Sequence, residues 1–128
     1  MSAPQPQPQP AQGTGLAPNV AGALSYLVAP FTGILFYVIE KQNPFVRFHA
    51  MQSIVFGVAW IVLWVALSVI SGVVPVVGWI AGFLASIVIG IGGFIVWLLL
   101  MWQAFQGKEW ELPVIGQFAR KQLGGVSV

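Results

Sequence analysis

Cysteine and aspartate are both absent from this 128-residue sequence, and the whole chain carries only three acidic and five basic side chains with a single histidine. The missing cysteines exclude disulfides, thiolate metal sites and cysteine nucleophiles, and they leave the redox compartment open. The shortage of charge excludes more. Soluble domains devote about a quarter of their residues to charged types, whereas here 6% are charged and 58% are hydrophobic, with a mean hydropathy of +0.88. So few charged side chains cannot cover a chain of this size in water, while a surface facing lipid is apolar throughout. The net charge of +2 is small and spread along the chain, so no nucleic acid is expected as a partner. The first partner expected is the lipid bilayer.

Residues 1–18, MSAPQPQPQPAQGTGLAP, alternate proline and glutamine, which favours extended polyproline II geometry and offers nothing apolar to bury. A disordered tail is expected there, and a flexible end at 124–128. No basic region precedes the first apolar run, which ends in Glu40-Lys41 where a signal peptide would carry small residues for cleavage, so that run is expected to stay in the mature protein.

The segment between the two ends, 19–123, reads as an all-α integral membrane domain with three transmembrane helices. The first spans about 19–39, long enough for a hydrocarbon core of about 30 Å, and is expected to kink at Pro30, which removes a donor and crowds the carbonyl of Tyr26. Residues 40–52, EKQNPFVRFHAMQ, form a polar break with Asn43-Pro44 as the turn. No residue from Ser53 to Phe105 is charged, which is too long for one span and suits two. The Ser71-Gly72 and Pro75 to Gly78 punctuation places them at about 53–74 and 79–105, with Trp79 and Trp102 where interfacial aromatics sit. Past the polar break at 107–111, Leu112, Ile115, Ala119 and Leu123 fall on one face of a short amphipathic segment, opened by Pro113 and stopped by Gly124-Gly125. That segment is too short to span and is expected on the membrane surface.

Lys41 and Arg47 lie in the first loop, Lys108, Arg120 and Lys121 lie past the third span, and the remaining segments outside the spans carry no Lys or Arg. With three spans, the positive-inside rule puts the N-terminus outside and the C-terminus in the cytoplasm of a prokaryotic plasma membrane.

Small residues recur four apart at Ala21, Ser25, Ala29 and Gly33 and again at Gly78, Gly82, Ser86 and Gly90, a spacing that lets two helix backbones approach in lipid. The first and third spans are therefore expected to meet along these stripes, within a protomer or between protomers. No ionisable residue falls within the expected spans, which argues against a proton relay or an ion-coupled transporter. His49 reads as an interfacial side chain reaching toward the headgroups. With Glu40 it supplies two ligands where a metal needs at least three, and Glu40, Glu109 and Glu111 all stand at boundaries facing solvent. Neither a metal, a cofactor nor an enzymatic activity is expected. The two charged segments are expected to form a collar in which Arg47 pairs with Glu109 or Glu111 while Phe45, Phe48, Leu112 and Ile115 dip into the interface.

Taken together, Asn19-Val20-Ala21-Gly22, Thr32-Gly33, Glu40-Lys41, the run Phe45-Val46-Arg47-Phe48-His49-Ala50 with Gln52-Ser53, and Leu112-Pro113-Val114-Ile115-Gly116 resemble a family of small prokaryotic membrane proteins of unassigned function related to the Tic-twenty component of the chloroplast inner-envelope translocon. The resemblance covers about 16–121 and departs at Gln117, where the family carries an acidic residue after the LPVIG glycine. It implies a multi-span helical protein and a part in protein translocation or a channel-like assembly. The residues themselves point to a non-catalytic scaffold or accessory subunit of a membrane complex, self-associating or bound to a membrane protein partner.

Overall fold

Proline and glycine set the breaks in this chain, and the long apolar runs between them fold as helices. The computed structural model describes residues 14–127. The helices are α1 (Pro18–Leu24), α2 (Phe31–Ile39), α3 (Pro44–Val73), α4 (Val77–Phe105) and α5 (Ile115–Ser127), with no strand among the described residues. The disorder expected over residues 1–18 falls mostly on 1–13, outside the described residues, while Pro18 already opens α1, and α5 runs to Ser127, past the stop expected at Gly124-Gly125.

Helices α3 and α4 run 30 and 29 residues, about 45 Å each at 1.5 Å per residue. Both are long and apolar enough to cross a membrane, and only 11% and 6% of their most apolar stretches are buried within the protein. A core helix of a soluble protein would be buried. These two instead turn Val62, Val69, Ile70, Val73, Ile80, Phe83 and Val88 outward. Helix α3 begins earlier than residue 53 because Asn43 caps it, its Oδ1 accepting from the backbone N–H of Phe45 and Val46, with Pro44 at the first helical position. The segment 44–52, expected as a polar break, is therefore the first turns of the helix.

The first apolar run departs most from expectation. The single span over 19–39 is divided into two short helices separated by residues 25–30, and they do not continue in one direction. Thr14, ahead of α1, donates from its backbone N–H and its hydroxyl to Glu40 Oε1, beyond α2, at 2.9 and 2.6 Å. A straight helix over these residues would hold those ends about 39 Å apart. At the near end Asn19 Nδ2 donates to the carbonyl of Phe105 at 2.9 Å, and at the far end a Cβ on Gly57 would collide with Pro30. The run is thus a hairpin that enters beside the start of α3, turns at Pro30 and returns. Counting from Pro44 to Gly57, it reaches about 20 Å down an axis of about 45 Å.

The hairpin also reassigns the small-residue stripes. Gly33 faces Ala50 and Ser53 of α3, while Gly78 and Gly82 face Ser71 across the α3–α4 turn. Gly90 has open space around it, and Ser86 is half-buried with its hydroxyl bonded to Phe83 O. Close approach is real at Gly33, Gly78 and Gly82, but each meets α3, and within the protomer Gly33 and Gly82 do not meet one another. The contacts between α1 and α4 lie higher, where Ala104 meets Gly22.

Because the hairpin returns, residue 14, the 40–43 turn, the end of α4 and α5 gather at one end of the α3–α4 pair, with the 74–76 turn at the other. The expected N-terminus and C-terminus on opposite sides followed from an odd number of crossings. A hairpin that enters and leaves at the same end would add an even number and put both ends on one side. Since the natural chain has no cysteine, single cysteines at Leu16, Pro75 and Gln122 give clean probes: Leu16→Cys and Gln122→Cys should share one accessibility to an impermeant thiol reagent and Pro75→Cys the opposite. Opposite labelling of Leu16→Cys and Gln122→Cys would restore the three-span path. A second check is Gly57→Ala, whose Cβ would press on the Pro30 ring and backbone; it should cost about 1–3 kcal/mol as overpacking, read as a lowered Tm in detergent.

Candidate functional site

In the hairpin turn the Ser25, Tyr26 and Leu27 N–H groups donate back into α1, while the carbonyls of Ser25 and Tyr26 and the N–H of Val28 are completed by side chains, and these mark the site. The carbonyl of Ser25 accepts from Thr32 Oγ1 at 2.9 Å and from Ser53 Oγ at 2.5 Å. The carbonyl of Tyr26 accepts from Trp97 Nε1 at 2.6 Å, and the Val28 N–H donates to Thr32 Oγ1 at 3.0 Å. Irregular backbone survives away from water only when protein groups take up its donors and acceptors. Here α3, α4 and the hairpin itself each lend one.

Beside that turn lies a fully buried chain of polar side chains. Tyr26, His49 and Gln52 have essentially no exposed surface. His49 Nε2 lies 2.8 Å from the Lys108 carbonyl and Nδ1 lies 2.7 Å from the Tyr26 hydroxyl. A carbonyl can only accept, so Nε2 carries the hydrogen and Nδ1 accepts the Tyr26 proton. The Tyr26 oxygen in turn accepts from Gln52 Nε2 at 2.7 Å. The remaining hydrogen of that amide goes to the Trp110 carbonyl at 3.1 Å, and Gln52 Oε1 accepts from the Leu112 N–H at 2.9 Å. Every group has one partner of the right polarity, and no buried side-chain nitrogen or oxygen among the described residues is left without one. The ring of His49 is also enclosed by Phe45, Phe48 and Tyr26, at centroid distances of 4.6, 5.0 and 5.5 Å. His49 is therefore not a headgroup-facing side chain: burial and three aromatic neighbours hold it as a neutral link in α3.

The effect is a clamp. His49 and Gln52, one turn apart on α3, hold the backbone of the connecting strap 106–114 at Lys108, Trp110 and Leu112. The LPVIG block completes it. Pro113 is exposed at the turn, while Gly116 lets α5 come close, since a Cβ there would stand 2.5 Å from Gln52 Oε1 and 2.6 Å from Glu111 Cα. Leu112 and Ala119 are buried on the inner face of this segment, and Phe118 is exposed on the other.

The charges pair differently from the expected collar. Arg120, on α5, donates to Glu111 Oε2 at 2.6 Å and to Glu109 Oε1 at 3.0 Å, and lies 4.2 Å over the ring of Phe48. The hydrogen bond to Glu111 and the two carboxylate charges raise its pKa further above the ordinary arginine value. Arg47 turns to α2 instead, with NH1 donating to the Tyr37 carbonyl at 3.0 Å and the guanidinium 4.1 Å over the Tyr37 ring. The reason is distance along the chain: Arg120 is nine and eleven residues from the two glutamates on a strap that folds back on itself. Glu40, expected at a solvent-facing boundary, is buried against Thr14, next to exposed Lys41. Phe45 is half-buried on His49, and Phe48 is buried beneath Arg120 and so is not free to enter lipid.

Of the motif residues, Phe48, His49, Gln52, Leu112 and Gly116 are brought together; Glu40, Lys41, Arg47 and Pro113 stand around them. Among the packing residues, Ala21 and Ser25 are buried beside the site. Ser25 serves through its carbonyl, and its hydroxyl donates back to Gly22 O at 2.6 Å. Tyr26, Thr32, Ser53 and Trp97 escaped sequence reasoning as site residues. A tyrosine four residues before a proline inside an apolar run was the available signal.

No group of three or more His, Asp or Glu side chains able to hold a metal occurs among the described residues. What the arrangement does chemically is hold backbone. Gln52→Leu would strand the Trp110 carbonyl and the Leu112 N–H, each buried loss costing about 1–3 kcal/mol, so it should lower the Tm in detergent and speed proteolysis within 106–114. Tyr26→Phe should also lower the Tm, because it leaves His49 Nδ1 without a donor and one Gln52 amide hydrogen without an acceptor. An unchanged Tm and cleavage rate for Gln52→Leu would show that the strap is held by other means.

Residues 13–119 match the magnetosome magnetite crystal formation protein family. Over 108 residues the chain is 44% identical to a UPF0132 membrane protein of Archaeoglobus fulgidus, covering 84% of this chain and 97% of that one. A UPF0132 membrane protein of Methanocaldococcus jannaschii is 42% identical over 108 residues, with 84% and 89% covered, and a second from that organism is 33% identical over 107 residues, with 84% and 71% covered. No solved structure matches. These matches support a small membrane protein with prokaryotic relatives and do not extend to the chloroplast translocon. A matched region that takes in the hairpin, both long helices and the clamp shows that the chain belongs to the magnetosome magnetite crystal formation protein family, among the UPF0132 membrane proteins.

Proposed function

We propose that this chain is a non-catalytic integral membrane protein that serves as a scaffold or accessory subunit of a membrane assembly. In this reading α3 and α4 cross the bilayer, the α1–α2 hairpin is re-entrant, and Lys41, Arg47, Lys108, Arg120 and Lys121 lie together on the cytoplasmic side. The N-terminal tail then faces the cytoplasm with them, in place of the outside location expected from three crossings. The observation that carries the proposal is the fully satisfied clamp: the buried polar groups are engaged with one another and with the protein's own backbone, while the outward surfaces of α3 and α4 are apolar. Such a molecule presents surfaces to lipid and to other helices.

The family's description concerns magnetite crystal formation. Contact with a mineral or its ions would fall to carboxylates, and here Glu40 accepts from Thr14 while Glu109 and Glu111 accept from Arg120. Support of an assembly in the membrane is therefore favoured over direct contact with mineral. A channel-like or translocation role would require oligomers, since two spans and a partial hairpin enclose no pore. Re-entrant backbone in channels lines a water-filled path, whereas the carbonyls of Ser25 and Tyr26 are turned into protein.

The test is reconstitution of the purified chain into liposomes carrying a trapped fluorescent solute, with crosslinking in parallel from native membranes. The scaffold reading expects crosslinked species, either oligomers of the chain or a defined complex, and solute retention equal to that of empty vesicles. A leak that grows with protein density and vanishes when crosslinkable oligomers are disrupted would favour the channel reading. In intact cells, Pro75→Cys should be the labelled position of the three cysteine variants; labelling of Leu16→Cys and Gln122→Cys instead would invert the orientation.

A further inference from the structure

Arg47 and Lys41 are left facing the same place by the pairing described above. Both carboxylates that could have neutralised Arg47 are held by Arg120, and Glu40 is buried against Thr14. Tyr37, Val38, Lys41 and Arg47 line one shallow basin at the charged end. The guanidinium is not loose in it. Its NH1 is fixed on the Tyr37 carbonyl at 3.0 Å, and its plane lies 4.1 Å over the Tyr37 ring, so two contacts orient a planar cation whose other N–H groups meet no carboxylate among the described residues. Lys41 adds an exposed ammonium. A fixed guanidinium beside a mobile ammonium matches a phosphate group, the first by directed hydrogen bonds and the second by charge.

The surface below the basin narrows the choice. Phe31, Ile34 and Val38 lie at helical spacing along the outward side of α2, with 65%, 46% and 58% of their surfaces exposed. That strip runs from Val38, in the basin wall, toward the hairpin turn, and α2 makes no contact with α4 that would cover it. A ligand satisfying both parts carries a phosphate at one end and a hydrocarbon chain at the other. We propose that this basin is a binding site for one anionic phospholipid, with its phosphate between Lys41 and Arg47 and an acyl chain along Val38, Ile34 and Phe31. Charge complementarity selects an anionic lipid over a zwitterionic one, since each basic residue near the headgroups contributes about fivefold in affinity. The site goes beyond the scaffold reading and requires only that the chain sit in a bilayer.

The experiment is native mass spectrometry of the full-length protein in detergent, supplied with equal amounts of phosphatidylglycerol and phosphatidylcholine. One phosphatidylglycerol should be retained in preference to phosphatidylcholine. Lys41→Gln, an exposed change that leaves the fold alone, should lower that preference about fivefold, and so should Arg47→Gln. Lys108→Gln and Lys121→Gln remove the same charge from the same end and should leave it unchanged. Equal retention of the two lipids, or an equal loss from the Lys108 and Lys121 variants, would replace the site with diffuse attraction and overturn the proposal. Glycerol phosphate and inorganic phosphate, which bring the anion without the chain, should fail to displace the lipid at large excess. Displacement by either would make the basin a site for free anions and would equally overturn it.

Discussion

Backbone left without partners away from water is the constraint on which this structure depends. The break at residues 25–30 removes regular helical hydrogen bonds from the middle of an apolar run, and in a bilayer each unpaired group costs several kcal/mol. The remedy comes from three directions. Ser53 reaches across from α3, Trp97 from α4, and Thr32 from the returning arm of the hairpin itself. Once those contacts exist the hairpin cannot slide along α3 or α4 without stranding a carbonyl, so the turn fixes the register of three helices at once. Close approach is part of the same solution, because the Pro30 ring fits only against a residue with no side chain at Gly57.

The segment from Phe45 to Ser53 is where the remaining elements meet, since each of its faces serves a different neighbour. Arg47 and Ala50 face α2, His49 and Ser53 face the first arm and its turn, and Phe48 with Gln52 face the strap and α5. An α-helix that meets protein on most of its sides has little face left for a single stripe, which explains why this stretch mixes charged, aromatic and amide residues. Its opposite end is simpler. Below Gly57, close packing of α3 on α4 rests on Ser71 against Gly82 and Trp60 against Gly93.

Hydropathy read the second and third apolar runs well, because an uncharged stretch of this length has few alternatives in a folded chain. The same measure misread the first run, since a hairpin dipping into the apolar layer and a helix crossing it have the same composition. The charge asymmetry gathered the five basic residues at one end, whereas the side expected for the tail depended on counting crossings. At the site, the motif residues His49, Gln52, Leu112 and Gly116 were visible in the sequence, and their joint role was not. The partners of His49 and Gln52 are backbone groups of Lys108, Trp110 and Leu112, which carry no signal in side-chain identity. The choice between Arg47 and Arg120 for the glutamates was equally hidden, because it turns on the path of the strap.

The depth of the hairpin has a consequence for the shape the protein offers to lipid. Down to the level of Gly57 the cross-section contains four helical segments, and beyond it only α3 and α4 continue. If the long helices stand across a bilayer, the chain is a wedge: it displaces about twice as many helix footprints of lipid from one leaflet as from the other. The two leaflets around each copy then differ in area.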